Sequence, residues 1–286
     1  MDLQDYGEHN HQRKAAVIND FTSFGRCSLA VTIPILSAMK VQCCSVPTAI
    51  FTNHTGFSSY AWTDNTAHMD DYIAEWKKLG LRFDAIHTGF LGSKAQVEFV
   101  YRFLEAFRDE KTIVCVDPVM GDYGKLYATY DNELAQAMRG FLGVADILTP
   151  NLTEACVLAG VPYRVDMTDD ELEVLCAKLC ARRATKVVIS GIPRGDLLAN
   201  YVYERSKEPF VCSHKRIGKD RSGTGDVFSS VILADAVNGV DFATSVRKAS
   251  AFVAKAVKRT VEMGIPEKDG LAIEEVLSDL ISSHIP

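Results

Sequence analysis

The sequence predicts an α/β fold of three layers: a mostly parallel central sheet, helices on both faces, and one small β hairpin. Short β-branched runs alternate with longer helical stretches, the signature of parallel strands joined by helical crossovers. Residues 112–116 are strongly apolar and β-branched, as expected of a central strand buried on both faces. Polar, glycine-bearing clusters follow several of these strands, and open α/β sheets hold their ligands at that edge.

Taken in order, residues 15–19 read as the first strand, followed by a loop through Gly25 and a helix over 27–39. A second strand is expected at 42–47, ending on Pro47. A helix follows at 69–79, with Asp70 and Asp71 in the first turn where the helix dipole favours acids. Strand 84–89, helix 94–108 and strand 112–116 continue the alternation. Then come a helix at 132–139, a strand at 145–148, helices at 152–159 and 169–181, and a strand at 186–190. Segments 198–203 and 210–216 pair as a hairpin around a polar turn, and helices near 226–237, 242–258 and 273–281 close the chain. With no repeat, linker or low-complexity stretch, the 286 residues read as a single domain, and residues 1–14 as a polar, frayed tail.

The composition, with 47% apolar and 24% charged side chains, is that of a globular protein able to bury about three quarters of its unfolded surface. A net charge of −6 argues against nucleic acid, which needs a basic face. It leaves room for a phosphorylated ligand, which a few local N–H groups and cations can hold. No stretch approaches the roughly 18 apolar residues of a membrane span, and the N-terminus has no apolar signal core. The eight cysteines lie in apolar runs or one helical turn apart, as reduced buried thiols do. A cytoplasmic protein is the expectation.

The sharpest candidate is Gly223-Thr224-Gly225-Asp226, placed between a polar loop and an apolar helix. Glycines let a backbone approach a ligand closely, and the open N–H groups of a first helical turn attract anions. An aspartate there can take a proton from a hydroxyl while those N–H groups stabilise a transferring phosphoryl. The same tetrapeptide also reads as an N-capping aspartate behind a flexible turn. At the end of the central strand, Asp117 and Asp122 in Asp117-Pro118-Val119-Met120-Gly121-Asp122 offer two carboxylates of the kind that bind Mg²⁺, or a turn with solvated acids. Thr149-Pro150-Asn151-Leu152-Thr153-Glu154 follows another strand, and helix capping explains it equally well. Phe51-Thr52-Asn53-His54-Thr55-Gly56-Phe57 supplies the aromatic faces and oriented donors that suit a flat ring; His54 alone reads more readily as a loop-orienting hydrogen-bonder. His87-Thr88-Gly89-Phe90-Leu91-Gly92 is a further strand end, or a plain glycine turn.

In this order, the runs Thr52-Asn53-His54-Thr55-Gly56, Thr88-Gly89-Phe90, Asp117 to Asp122, Thr149-Pro150-Asn151 with Glu154, and Gly223 to Asp226 closely resemble the pyridoxal kinase family of the ribokinase-like superfamily. The resemblance runs from about Ala16 to Thr260. It implies a ribokinase-like α/β/α fold and ATP-dependent phosphorylation of the 5′-hydroxymethyl group of vitamin B6 (pyridoxal, pyridoxine or pyridoxamine). It makes Asp226 the general base, with Gly223, Thr224 and Gly225 as the anion hole. It assigns Asp117, Asp122, Glu154 and Thr149 to Mg²⁺ and a monovalent cation such as K⁺. Asp20, Thr55, His54 and Phe90 fall at the substrate, and Asn151, Ser190, Thr224 and Tyr127 at the nucleotide. It also implies a homodimer.

Two departures stand out. Asp20-Phe21 replaces the Ser-His common after the first strand, and Phe90 replaces a tyrosine. Asp20 is also found in the first loop of the sister hydroxymethylpyrimidine kinases, which are the second reading. Those enzymes end the last glycine motif in cysteine and lack the Asn-His-Thr-Gly run. A sugar kinase ranks third, and a catalytically silent B6 or nucleotide sensor is the non-enzymatic alternative.

Overall fold

The computed structural model describes residues 9–127 and 129–282. Its main sheet has nine strands in the order β11-β10-β9-β8-β5-β4-β1-β2-β3. These are β1 (Lys14–Thr22), β2 (Gln42–Phe51), β3 (Trp62–Asp64), β4 (Ala85–Thr88), β5 (Ile113–Val116), β8 (Ile147–Leu148), β9 (Lys186–Arg194), β10 (Leu197–Glu204) and β11 (Phe210–Lys215). β5 is the middle strand, as its apolar run requires. The inner strands from β2 to β9 pair in parallel, whereas β3, β10 and β11 attach antiparallel at the two edges. The expected hairpin is therefore an extension of the main sheet. A separate two-stranded ribbon, β6 (Gly121–Asp122) with β7 (Lys125–Leu126), closes through Tyr123 (φ 50°) and Gly124 (φ 77°), both left-handed as a type I′ turn demands.

Successive strand residues point to opposite faces, and two cores result. Ala16, Ile18, Ile86, Val114 and Val116 pack with α3 (Lys94–Phe107), α5 (Leu152–Ala159) and α6 (Asp169–Leu179). Ala15, Val17, Ala85 and Cys115 pack on the other face with α1 (Leu29–Ala38), α7 (Thr224–Val237) and α8 (Phe242–Glu262). Helix α7 is buried over ten of its residues, because it lies between the sheet and its neighbours α1 and α8. The remaining helices are α2 (Met69–Lys78), α4 (Asn132–Met138) and α9 (Ser278–Ser282).

Where sequence pattern and structure part, backbone geometry explains it. β2 continues through Pro47 to Phe51, because β3 reaches only Ala49 to Phe51 and leaves the Pro47 nitrogen on an open edge. Helix α1 starts at Leu29 rather than Cys27, because Arg26 (φ 46°) and Ser28 (φ 55°) turn the chain first. The final helix expected over 273–281 is split into a 3₁₀ turn, Ile273–Glu275, and α9, and the segment still buries Ile273, Leu280 and, between the two, Val276. Of the expected tail, residues 1–8 lie outside the described residues. Asn10 and Arg13 bond to the carbonyls of Gly80 and Val237, and β1 begins at Lys14.

Candidate active site

The parallel strands end on one edge of the sheet, and a cleft of about 420 Å³ runs along it. That is within the usual range for small-molecule sites, about 300–1,000 Å³. The residues that the resemblance assigns to substrate, nucleotide, metal and catalysis all line it, from Asp20, His54, Thr55 and Phe90 at the β1–β2–β4 end to Ser190 at the β9 end.

Asp226 lies in the first turn of α7, whose N-cap is Gly223 (φ 82°). The N-cap Gly223 has no side chain to close this helix, so the amides of Thr224 and Gly225 are left for an anion. A Cβ on Gly223 would stand 2.1 Å from the Arg26 carbonyl, so only glycine fits both the φ and the space. The Thr224 hydroxyl is turned back onto the Arg221 carbonyl at 3.2 Å, leaving the backbone as the anion donor at this position. Burial pushes the Asp226 carboxyl above the usual carboxylate range, opposed by the Ser28 backbone and the Asn19 amide. Asn19 donates to Asp226 at 3.3 Å, and its oxygen accepts from the amides of Phe90 (2.8 Å) and Asp20 (2.9 Å). Gly89 leaves the space for it, since a Cβ there would meet the Asn19 side chain at 2.4 Å. The sequence pattern missed Asn19; its only signal is a polar residue at a strand end, on the same face as Ala15 and Val17.

Asp20 lies within β1, two residues before its end at Thr22, rather than in a loop beyond it, and at a register shift against β2. It is 5% exposed, and the Thr22 hydroxyl donates to it at 2.7 Å. Burial pushes its carboxyl up to about 6, against hydrogen bonds from Ser28 and Thr22 and with a further rise from the Asp226 charge. Phe51 and Phe90 meet edge to face with ring centres 6.1 Å apart, and Trp62 stacks on the back of Phe51 at 5.5 Å. Phe51 and Phe90 wall the end of the cleft where Thr55 and His54 lie. His87, by contrast, is sealed in β4, and burial holds its imidazole down at about 4, so it stays neutral.

Asp117 follows β5 and is 7% exposed; burial and then the Asp226 charge push its carboxyl up, against a hydrogen bond from Ser229. Glu154 is buried, and its acidity is weakened by burial and by Asp117. One Glu154 oxygen accepts from Met120 N at 3.1 Å, the other from Asn151 N at 2.8 Å. Asn151 completes a capping box on α5 and donates to the Gly121 carbonyl at 2.8 Å. This pair therefore clamps the 117–122 turn onto the start of α5, with Asn151 as the cap. The buried Thr149 hydroxyl has no hydrogen-bond partner among the described residues. Asp122 is exposed, on the type I′ ribbon with Tyr127 just beyond it.

The rest of the cleft is a basic loop and an apolar slot, neither of which was singled out in the sequence. Lys215 at the end of β11, and Arg216, Lys219 and Arg221 after it, line the cleft, and Asp220 bonds both Arg216 (2.9 Å) and the Tyr123 hydroxyl. Leu198, Ile217, Val253, Ala254 and Val257 make the slot beside Ser190. The run His214-Lys215-Arg216-Ile217-Gly218-Lys219-Asp220-Arg221 was its visible signal: concentrated positive charge in an acidic chain. Among the described residues no three His, Cys, Asp or Glu side chains converge as a metal cage, and no helix is long and apolar enough to cross a membrane.

A family model described as phosphomethylpyrimidine kinase matches residues 33–270, most of the chain. The chain belongs to that family. Within it, this phosphomethylpyrimidine kinase family member stands with the pyridoxal kinases of the ribokinase-like superfamily. It is 25% identical over 258 residues to the pyridoxine/pyridoxal/pyridoxamine kinase of Bordetella pertussis, covering 85% of this chain and 88% of the relative. A candidate phosphomethylpyrimidine kinase from Bacteroides thetaiotaomicron, solved in a crystal form with pyridoxal, is 36% identical with a TM-score of 0.91, covering 94% of this chain and 96% of that one. Pyridoxal kinase from Lactobacillus plantarum is 28% identical with a TM-score of 0.87, covering 95% and 97%.

Proposed function

We propose that this protein is a pyridoxal kinase, transferring the γ-phosphate of ATP to the 5′-hydroxymethyl group of vitamin B6. The observation that carries this reading is Asp226, fixed by Asn19 at an uncapped helix N-terminus, in one cleft with the aromatic wall of Phe51 and Phe90. The pyridoxal in the Bacteroides relative and the names of the pyridoxal kinase relatives support the substrate.

In this reading the ring lies by Phe90, Thr55 and His54, with the hydroxymethyl group toward Asp226. Asp226 accepts the hydroxyl proton, and its raised affinity for protons suits a base working near neutral pH. The backbone of Gly223, Thr224 and Gly225 holds the phosphoryl oxygens, while Asn151, Ser190, Tyr127 and the basic loop hold the nucleotide. Transfer then needs positioning and charge neutralisation rather than covalent chemistry by the protein. The donor set fits Mg²⁺: Asp117 is a nearly buried carboxylate beside the partnerless Thr149 hydroxyl, and Mg²⁺ is bound by one or two carboxylates with water and substrate phosphates rather than by a protein cage. Asp117, Thr149 and Asp122 would hold it, with Glu154 acting through water, and K⁺ would share the same acidic edge. Bound Mg²⁺ would supply charge neutralisation at the transferring phosphate. A cytoplasmic homodimer is the assembly proposed; the free cysteines and the exposed Ile50, Tyr60 and Trp62 on the β2–β3 edge support it.

Hydroxymethylpyrimidine kinase is the second reading, favoured by Asp20. A coupled assay of ADP release with pyridoxal, pyridoxine, pyridoxamine and hydroxymethylpyrimidine tests both. Turnover of the B6 forms at higher kcat/KM is expected; turnover of the pyrimidine alone, or of nothing, overturns the assignment.

A further inference from the structure

Residues 265–270 follow α8 and line no part of the cleft, yet two of the cleft's side chains are anchored on their backbone. Arg221, just ahead of Gly223, donates from Nη1 to the Pro266 carbonyl and from Nη2 to the Ile265 carbonyl, both at 2.9 Å. His54 Nε2 lies 2.7 Å from the Lys268 carbonyl. The Gly56 amide donates to His54 Nδ1 at 3.1 Å, so Nδ1 is the acceptor and Nε2 carries the hydrogen given to Lys268. Arg26 adds a bond to the Asp269 carbonyl at 3.1 Å and an ion pair with Glu274.

Three glycines bring these backbones into direct contact. A Cβ on Gly270 would stand 2.2 Å from the Gly25 carbonyl, one on Gly25 would stand 2.3 Å from the His54 ring, and Gly223 packs on Arg26 in the same way. Gly25 (φ 115°) and Gly270 (φ 77°) also hold left-handed conformations that only glycine adopts easily. The segment thus touches the loop that carries His54 and Thr55 and, through Arg221 and Arg26, the loop that carries Gly223.

We propose that residues 265–270 are a positioning strap that sets the substrate loop against the phosphate loop, with His54 and Arg221 as its anchors. The strap rests on the kinase reading above and assigns His54 a positioning task beyond its place beside the substrate. Each subsite keeps its own contacts when the strap loosens, but their mutual alignment is lost. A misplacement of about 1 Å can cost about 10²-fold in rate.

The test is Gly270→Ala, outside the cleft, assayed beside wild type with pyridoxal and ATP. The expected result is a fall in kcat of about ten- to hundredfold, with KM for both substrates and the calorimetric Kd for ADP within about threefold of wild type. His54→Phe should likewise lower kcat with the Kd for ADP within about threefold of wild type, and His54→Gln, which retains a donor toward Lys268, should recover part of kcat. Unchanged kcat, or kcat falling together with ADP affinity and cooperative unfolding, overturns the strap. If Gly270→Ala does not fold, Arg26→Met removes the bond to Asp269 and is held to the same readouts. A wild type without B6 kinase activity sinks the parent reading instead, which the first lane of the assay reveals.

Discussion

The Asn19 side-chain amide stands 3.3 Å from the Asp226 carboxylate and holds the Phe90 backbone with its oxygen, so one residue sets the proposed base and the aromatic wall together. Asn19→Ala is expected to lower kcat by about tenfold or more, since a hydrogen bond to a charged group contributes about 1.5–3 kcal/mol. The bond also lowers the Asp226 pKa, so its loss moves the acidic limb of the pH–rate profile upward. A profile that does not move, whatever happens to kcat, would leave Asn19 as a strand-end residue only.

Asp226→Asn is expected to retain ADP binding and lose about 10²- to 10⁴-fold in kcat, the contribution of a general base. Its effect on stability has the opposite sign. Burial raises the Asp226 pKa above the unfolded value, so the folded state binds the proton more tightly and stability falls as pH rises through the raised value. Asparagine carries no such charge, and the ligand-free variant should melt no lower than wild type at pH 7.5. A variant with more than half the wild-type kcat would refute the base.

Glu154→Gln tests the acidic edge. Both Glu154 oxygens accept backbone N–H groups, so an amide, with one oxygen, loses one of the two clamps and the charge behind Asp117. A lower melting temperature and a higher Mg²⁺ concentration for half-maximal activity are both expected. If melting falls while the Mg²⁺ titration stays put, Glu154 is a helix cap and nothing more.

Much of this architecture was legible because it is written in local periodicity. The alternation that sends Ala16 and Ile18 to one face and Ala15 and Val17 to the other needs no distant partner to be read. Gly223 to Asp226 announced itself by its glycines, of which Gly223 is required because a Cβ there would stand 2.1 Å from the Arg26 carbonyl. Asn19 did not, because its partners Asp226 and Phe90 lie 207 and 71 residues away in sequence. Tyr123 escaped for a different reason: a non-glycine residue at φ 50° has no strong sequence mark. Residues 265–270 meet their partners through carbonyl oxygens, which every sequence possesses, so apart from Gly270 no residue type betrays them. Asp117 and Asp122 were seen as a pair, yet one is buried and one exposed, a difference set by the ribbon that Gly121 starts.

Asp20 gives the least obvious prediction, a preference for the amine form of the vitamin, pyridoxamine. It lines the cleft at the aromatic end, and Thr22 and Ser28 satisfy part of its hydrogen-bonding capacity. What remains for the substrate is its charge in a site shielded from water, where charge-assisted hydrogen bonds are roughly twice as strong as neutral ones. Discrimination of about 1.5–3 kcal/mol against an uncharged substituent is the expected ceiling. Because burial pushes the carboxyl up to about 6, the charge is present above that pH and fades below it. The ratio of kcat/KM for pyridoxamine over pyridoxine should therefore be larger at pH 7.5 than at pH 5.5, after the titration of each free substrate is taken into account. Asp20→Ser should flatten that dependence and lower the ratio at pH 7.5. The competing account is that Asp20 serves only Thr22 and Ser28, holding the turn that leads into α1. In that case the variant loses melting temperature while the ratio stays within about twofold of wild type, a fraction of a kcal/mol, and the selectivity idea fails.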